Sequence, residues 1–301
     1  AAGWVGQTAG LVWAVPAAYR PRLGHEPGWV HRYAGQLRRS VPLGAAVVIN
    51  GVYFRVDAVM VATLAGVAAA GRYGIAYRVL DSVLLVPAVV GAAALPALVR
   101  ARDDTTTLHR RTGRLLQGVV LVMTPVVLVG WLAAPWVVRV LGGPAFASSA
   151  SVLRVLLVAA WFSSVDVVLG LLIVAAGLQG RLLWLNLGAL VVNVAGNLVL
   201  IPHLAGLGAA AMTAGCEAAV AVVAGVALHR IRGYQPRIPA AGRLVAVTSL
   251  AVCTAALLVP AAGWAVAASG ACLVYGVGVL VTRVVSLRDL LPVLAAPAGM
   301  R

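Results

Sequence analysis

The chain contains no lysine: all 23 basic residues are arginine, and only 8 acidic residues stand against them. Charged residues make up 10% of the sequence, where a soluble domain carries roughly a quarter. That shortage, with 62% hydrophobic residues and a mean hydropathy of +1.00, excludes a soluble globular domain. Cysteine is scarce too. Cys216, Cys253 and Cys272 stand singly in apolar segments, so CxxC and metal-ligand spacings are missing and the three read as small packing residues. The five histidines are scattered and form no ligand pair. A hydrolase triad, a Walker loop, a zinc motif and a DxD pair on a large loop are all missing, so neither an enzyme nor an ATP-driven pump is expected. The sequence likewise gives no reason to expect a cofactor or a metal. The barrel pattern of alternating polar and apolar residues is absent as well.

What is present is a succession of apolar runs of about 20 residues, the length of a helix that crosses a bilayer. The expected fold class is all-α, a polytopic transmembrane helical bundle. About nine spans are expected, near 1–19, 41–65, 72–99, 115–138, 152–176, 182–201, 207–228, 244–260 and 263–282. Residues 1–40 divide into a first span and a basic linker, and 41–301 form the main transmembrane body. The chain opens Ala1-Ala2-Gly3-Trp4 inside an apolar stretch without an initiator methionine, and reads as a piece of a longer protein.

The net charge of +15 would suggest nucleic acid in a soluble protein. Here the arginines fall mostly in short loops, which fits membrane topology better than a nucleic-acid partner. Segments 20–40, 100–114, 229–243 and the tail are rich in arginine, and Arg181 belongs to the same alternating set. The loops near 66–71, 139–151, 202–206 and 260–263 hold almost none, Arg139 being the clear exception. Positive-inside bias puts the basic set and the C-terminus in the cytoplasm. Residues 29–39 read either as a short helix on that face or as a solvated basic loop. Pro42, Pro87, Pro96 and Pro125 should kink or end helices.

Four acids, Asp57, Asp81, Asp166 and Glu217, lie inside these apolar runs. A carboxylate in hydrocarbon is costly, so such groups usually face a protein-lined cavity. At ~1.5 Å per residue, Asp57 and Asp81 both lie about 13 Å from the outer end of their spans, with Arg55 and Arg78 at similar depth. Arg78 and Asp81 are three apart and share a helix face, so they can pair directly. Arg55 and Asp57 are two apart and cannot share one, so at least one must find a partner elsewhere. Two readings stand: an ion-pair network that fastens helices, or the wall of an aqueous cavity whose arginines attract an anionic group through their planar forks. Asp166 and Glu217 have no basic residue within a turn, and read as proton or cation sites or as protonated acids bonded to a neighbouring helix. Asn193 and Asn197, four apart, are explained by interhelical hydrogen bonding.

The stretches Tyr53-Phe-Arg-Val-Asp57 and Ala70-Gly-Arg-Tyr-Gly-Ile-Ala-Tyr-Arg-Val-Leu-Asp81, ending Ala94-Leu-Pro96, resemble the bacterial oligosaccharide flippases of the Wzx type. Asn197-Leu-Val-Leu-Ile-Pro202 through Gly206-Leu-Gly208 to Glu217 is similar to the C-terminal region of that family, and Leu141-Gly-Gly-Pro-Ala-Phe146 to its extracytoplasmic loop. The resemblance covers about residues 40–230 and extends to a superfamily that includes multidrug/cation antiporters and lipid II flippases. It implies about 12 to 14 helices in two pseudo-symmetric lobes that rock around a central cavity. The present chain would supply the C-terminal lobe and one further helix. His203 stands where the family usually has a basic residue after the proline. The resemblance implies a flippase of lipid-linked oligosaccharide in a bacterial plasma membrane, with Arg55 and Arg78 on the pyrophosphate head group. Asp57, Asp81, Asp166 and Glu217 would be cavity acids or sites for a coupling H+ or Na+. A cation-coupled multidrug exporter, a lipid II flippase and a non-transporting membrane scaffold are the alternatives.

Overall fold

The computed structural model describes residues 29–234 and 240–284. It divides the chain into two compact units, 1–42 and 43–301. Among the described residues the regular structure is entirely helical: α1 (Trp29–Ala65), α2 (Val67–Arg100), α3 (Thr105–Gly142), α4 (Ser149–Ala175), α5 (Gln179–Leu204), α6 (Gly206–Arg232) and α7 (Ala241–Val281), with one 3-10 turn at Pro144–Phe146. All seven helices are long and apolar enough to cross a membrane.

The count differs from nine for two reasons. The expected span at 1–19 lies outside the described residues, as do residues 285–301 of the basic tail. The eighth and ninth spans are the two arms of α7. Its helix breaks at Gly263, with φ 79° and ψ 175°, a left-handed value that glycine adopts without strain. A straight helix would hold Arg243 and Thr282 about 58 Å apart at ~1.5 Å per residue. The Arg243 guanidinium instead donates to the Thr282 carbonyl at 3.1 Å, so 241–262 and 264–281 form an antiparallel hairpin.

Residues 29–39 are helical and run directly into the second span as α1. Pro42 does not interrupt it, and Pro87, Pro96, Pro125, Pro135 and Pro202 also lie inside continuous helices. Bilayer helices tolerate proline where neighbours and small local adjustments serve the freed carbonyls.

α4 is the central helix. Half of its most apolar window is buried, against 17–28% in the other six helices. Ala150, Ala159, Ala160, Ser163 and Ser164 keep its surface low, so that α2, α3 and α6 approach closely. Around it, large aliphatic residues such as Val67, Leu85, Val199, Leu257 and Leu273 point outward, the inverse of a soluble surface and the pattern expected of contact with lipid tails. α7 packs on α3 through Leu244, Val247, Ala251, Tyr275 and Leu132.

The loops separate into two ends as the alternation of arginines predicts. Arg102, His109, Gly177 and Tyr234 line one cavity of about 290 Å³ at the arginine-rich end. Arg72, Ser148, Ser151 and Gly206 line another of about 180 Å³ at the opposite end. At the arginine-rich end Asp104 caps α3, accepting from the Thr107 amide at 3.0 Å, and the Thr107 hydroxyl, with that amide, holds its carboxyl below the usual range. Trp136 and Trp264 lie together at the other end, rings 5.7 Å apart and partly exposed, as tryptophans do at a membrane interface.

Candidate functional site

Five helices each contribute two polar or aromatic side chains three or four residues apart, hence on one face. They are Tyr53 and Asp57 on α1, Tyr73 and Tyr77 on α2, Ser163 and Asp166 on α4, Asn193 and Asn197 on α5, and Thr213 and Glu217 on α6. Packing α5 and α6 beside α1, α2 and α4 turns these faces into a polar seam through an otherwise apolar interior.

Asp57 is 1% exposed. Its Oδ1 accepts from Asn197 Nδ2 at 2.7 Å, and its Oδ2 accepts from Thr213 Oγ1 at 2.6 Å and from the Tyr73 hydroxyl at 3.4 Å. The Thr213 hydroxyl also lies 3.0 Å from the Ala209 carbonyl, but its single proton serves the shorter contact to the carboxylate. Asn197 Nδ2 has a second proton, which goes to Asn193 Oδ1 at 2.9 Å. Two buried atoms of this group, Asn197 Oδ1 and Asn193 Nδ2, have no partner. Tyr77 supports the corner by donating to the Phe54 carbonyl.

Glu217, 5% exposed, accepts from the Ser163 hydroxyl. Asp166 lies one turn beyond Ser163 on the same face of α4, the face that meets Glu217. No O–H or N–H donor serves either Asp166 oxygen, both of which are buried.

The arginines stand apart from this interior. Arg55 Nη2 bonds Asp81 Oδ2 at 3.2 Å, joining α1 to α2, with side chains 51% and 37% exposed. The Arg55 guanidinium also lies over the Tyr77 ring, 5.6 Å from its centre. Arg78 is exposed and makes no ion pair among the described residues. The expected Arg78–Asp81 pairing is therefore replaced. The tight turn at Gly66 folds α2 back along α1 and brings Arg55 to Asp81, and a neighbouring helix offers a better approach than the next turn of the same one.

The four acids do not share one environment. Asp57 and Glu217 are enclosed, whereas Asp81 lies at the surface with Arg55. Neither cavity is lined by Asp57, Asp166 or Glu217; the smaller one reaches only Tyr73, whose hydroxyl bonds Asp57. No cluster of three or more His, Cys, Asp or Glu able to hold a metal ion occurs among the described residues. Cys216 is buried beside the seam, while Cys253 is exposed rather than packed.

Reading the acids alone missed Tyr53, Tyr73, Ser163 and Thr213, and assigned Asn193 and Asn197 only to helix fastening. The signal was in the chain: polar pairs at spacing three or four on several apolar helices, which only their mutual packing joins into one group.

No curated protein matches this chain. Residues 8–151 match the family model of the polysaccharide biosynthesis proteins, a span that contains Arg55, Asp57, Arg78 and Asp81, and this is the family whose likeness the sequence carries.

Proposed function

We propose that this chain is the C-terminal lobe of a flippase for lipid-linked oligosaccharides in a bacterial plasma membrane, with its arginine-rich loops and C-terminus in the cytoplasm. The observation that carries the reading is the exposed charge on α1 and α2. Arg55, Asp81 and Arg78 break a surface that is otherwise aliphatic at that depth. Charge at mid-bilayer must face water or a second polar surface. A cavity between two lobes supplies both.

In this reading a polyprenyl pyrophosphate offers Arg55 two oxygens in one plane, a closer match to the guanidinium fork than the single contact from Asp81. The head group displaces Asp81, Arg78 adds a second cation, and the lipid tail stays in the bilayer. No covalent bond changes, so the cycle asks for no catalytic residue. Alternating access then moves the head group across as the lobes rock. The enclosed acids Asp57, Asp166 and Glu217 are the candidates for coupling to H+ or Na+, because a buried carboxyl changes its interactions with its neighbours when it takes or loses a cation.

The test replaces Arg55 and Arg78 together by glutamine in the full-length protein and follows polymer export in cells. Export should fall below detection while the protein remains in the membrane at its normal amount. Export at the wild-type level would remove the head-group role.

A further inference from the structure

We propose that the cavity of about 290 Å³ at the arginine-rich end binds the phosphate head group of an anionic phospholipid from the leaflet that meets this end, with Arg102 at the phosphate and Leu108, Leu172 and Leu228 beneath it. The inference needs only that the seven helices cross a bilayer, and it stands apart from the transport reading above.

Three helix ends make the cavity: the first turn of α3 and the last turns of α4 and α6. Both C-terminal ends are closed by a left-handed glycine, Gly177 with φ 74° and Gly233 with φ 61°. The Leu178 amide turns back to the Ile173 carbonyl at 2.9 Å, and the Tyr234 amide to the Leu228 carbonyl at 3.4 Å. The second of these turns lays Tyr234, 1% exposed, against His109, edge to face with ring centres 4.8 Å apart. The Tyr234 carbonyl lies 3.2 Å from His229 Nδ1, which carries the proton because a carbonyl can only accept. The walls are therefore set by the packing of the helix ends before any ligand arrives.

The lining changes with depth. Leu108, Leu172 and Leu228 are buried and make an apolar floor, whereas Arg102, Asp103 and Thr105 are exposed at the mouth. That division fits a molecule anionic at one end and hydrocarbon at the other, and the ends of the spans lie at the level of lipid head groups. Basic pockets between helices on such a face take acidic head groups. The volume is at the small end for a ligand site, so it suits a head group rather than a whole lipid. Arg102 meets Asp103 through Nε at 3.4 Å, with side chains 63% and 90% exposed. An exposed pair of that kind contributes little, so a phosphate offering two oxygens to the guanidinium fork displaces it readily. Arg100, Arg110, Arg111 and Arg114 in the same segment outweigh Asp103 and Asp104 and keep the local field positive.

The experiment is native mass spectrometry of the purified full-length protein in detergent, with phosphatidylglycerol and with phosphatidylcholine, whose phosphate is neutralised by its choline. Phosphatidylglycerol should bind about tenfold more tightly. Arg102→Gln should remove about tenfold of that affinity, the worth of one charge-assisted contact. Arg114→Gln takes an equal charge from the same segment outside the cavity, and should change the affinity less than about twofold because exposed charges at a distance are screened. Both arginines are exposed, so both variants should fold. Equal binding of the two lipids would overturn the site. Equal losses from the two variants would also overturn it, by showing that only the overall positive field attracts the lipid. Glycerol phosphate at the concentration of the lipid should leave it bound; full displacement would assign the cavity to a soluble phosphate ester and overturn the lipid assignment.

Discussion

The seam formed by α1, α2, α4, α5 and α6 and the hairpin of α7 lie in the same bundle and hold together by different means. In the seam, hydroxyl, amide and carboxyl groups meet across helices, and Asp57 alone joins α1 to three others. In the hairpin, contact is made by small residues: Gly278 faces Val247 so closely that a Cβ there would lie 2.8 Å from Val247 Cγ1. Lipid tails are as apolar as leucine side chains, so helices in a membrane gain little by burying aliphatic surface against one another. Close fit and hydrogen bonds must do that work. The difference between the two regions teaches where chemistry can be located: a hairpin built on fit has no carboxyl group, whereas the seam has three.

The most damaging change should be Asp57→Ala. It strands donors from α2, α5 and α6 in a dry interior and should destabilise the protein by about 3 kcal/mol, read as a lowered thermal midpoint of the detergent-purified protein. A midpoint close to that of wild type would mean that the seam is not what holds these helices, and the contrast with α7 would fail.

A smaller effect is expected from Gly278→Ala, where overpacking against Val247 should cost about 1–2 kcal/mol. Gly276→Ala serves as its partner experiment, since a Cβ at Gly276 meets nothing within 4 Å. There the change should be neutral or slightly stabilising, because alanine favours the helix by up to about 1 kcal/mol. Equal losses at both positions would show that the fit of the arms is not the source of the hairpin's stability.

The smallest effect should come from the Arg55–Asp81 bridge. Both side chains are substantially exposed, so a double-mutant cycle with Arg55→Gln and Asp81→Asn should return a coupling below about 1 kcal/mol. Stability should hardly move even where export is lost. A coupling as large as the effect of Asp57→Ala would make the bridge a structural fastener like the seam.

Much of the architecture could be read in the chain. Apolar runs with arginines in alternate loops gave the helices and their two ends, and even the split of α7 follows from the pause at Pro260-Ala-Ala-Gly263. The site was legible only in part. Asp57 and Glu217 stand out because a charge amid aliphatic residues is conspicuous. Tyr53, Ser163 and Thr213 do not, since lone hydroxyls are common in membrane helices. The pairing of Arg55 with Asp81 was also out of reach, because spacing along one helix says nothing about which turn of the next helix lies opposite.

The sequence by itself determined that this is a multi-pass helical membrane protein and which of its loops share an end. Both follow from the cost of placing backbone and charge in hydrocarbon, a cost each segment bears alone. Only the tertiary structure decided that Asp57 receives donors from three other helices while no O–H or N–H reaches the buried oxygens of Asp166. That outcome depends on how the helices are rotated and set side by side, and the chemistry of a buried acid is fixed by what lies opposite it, not by its neighbours in the chain.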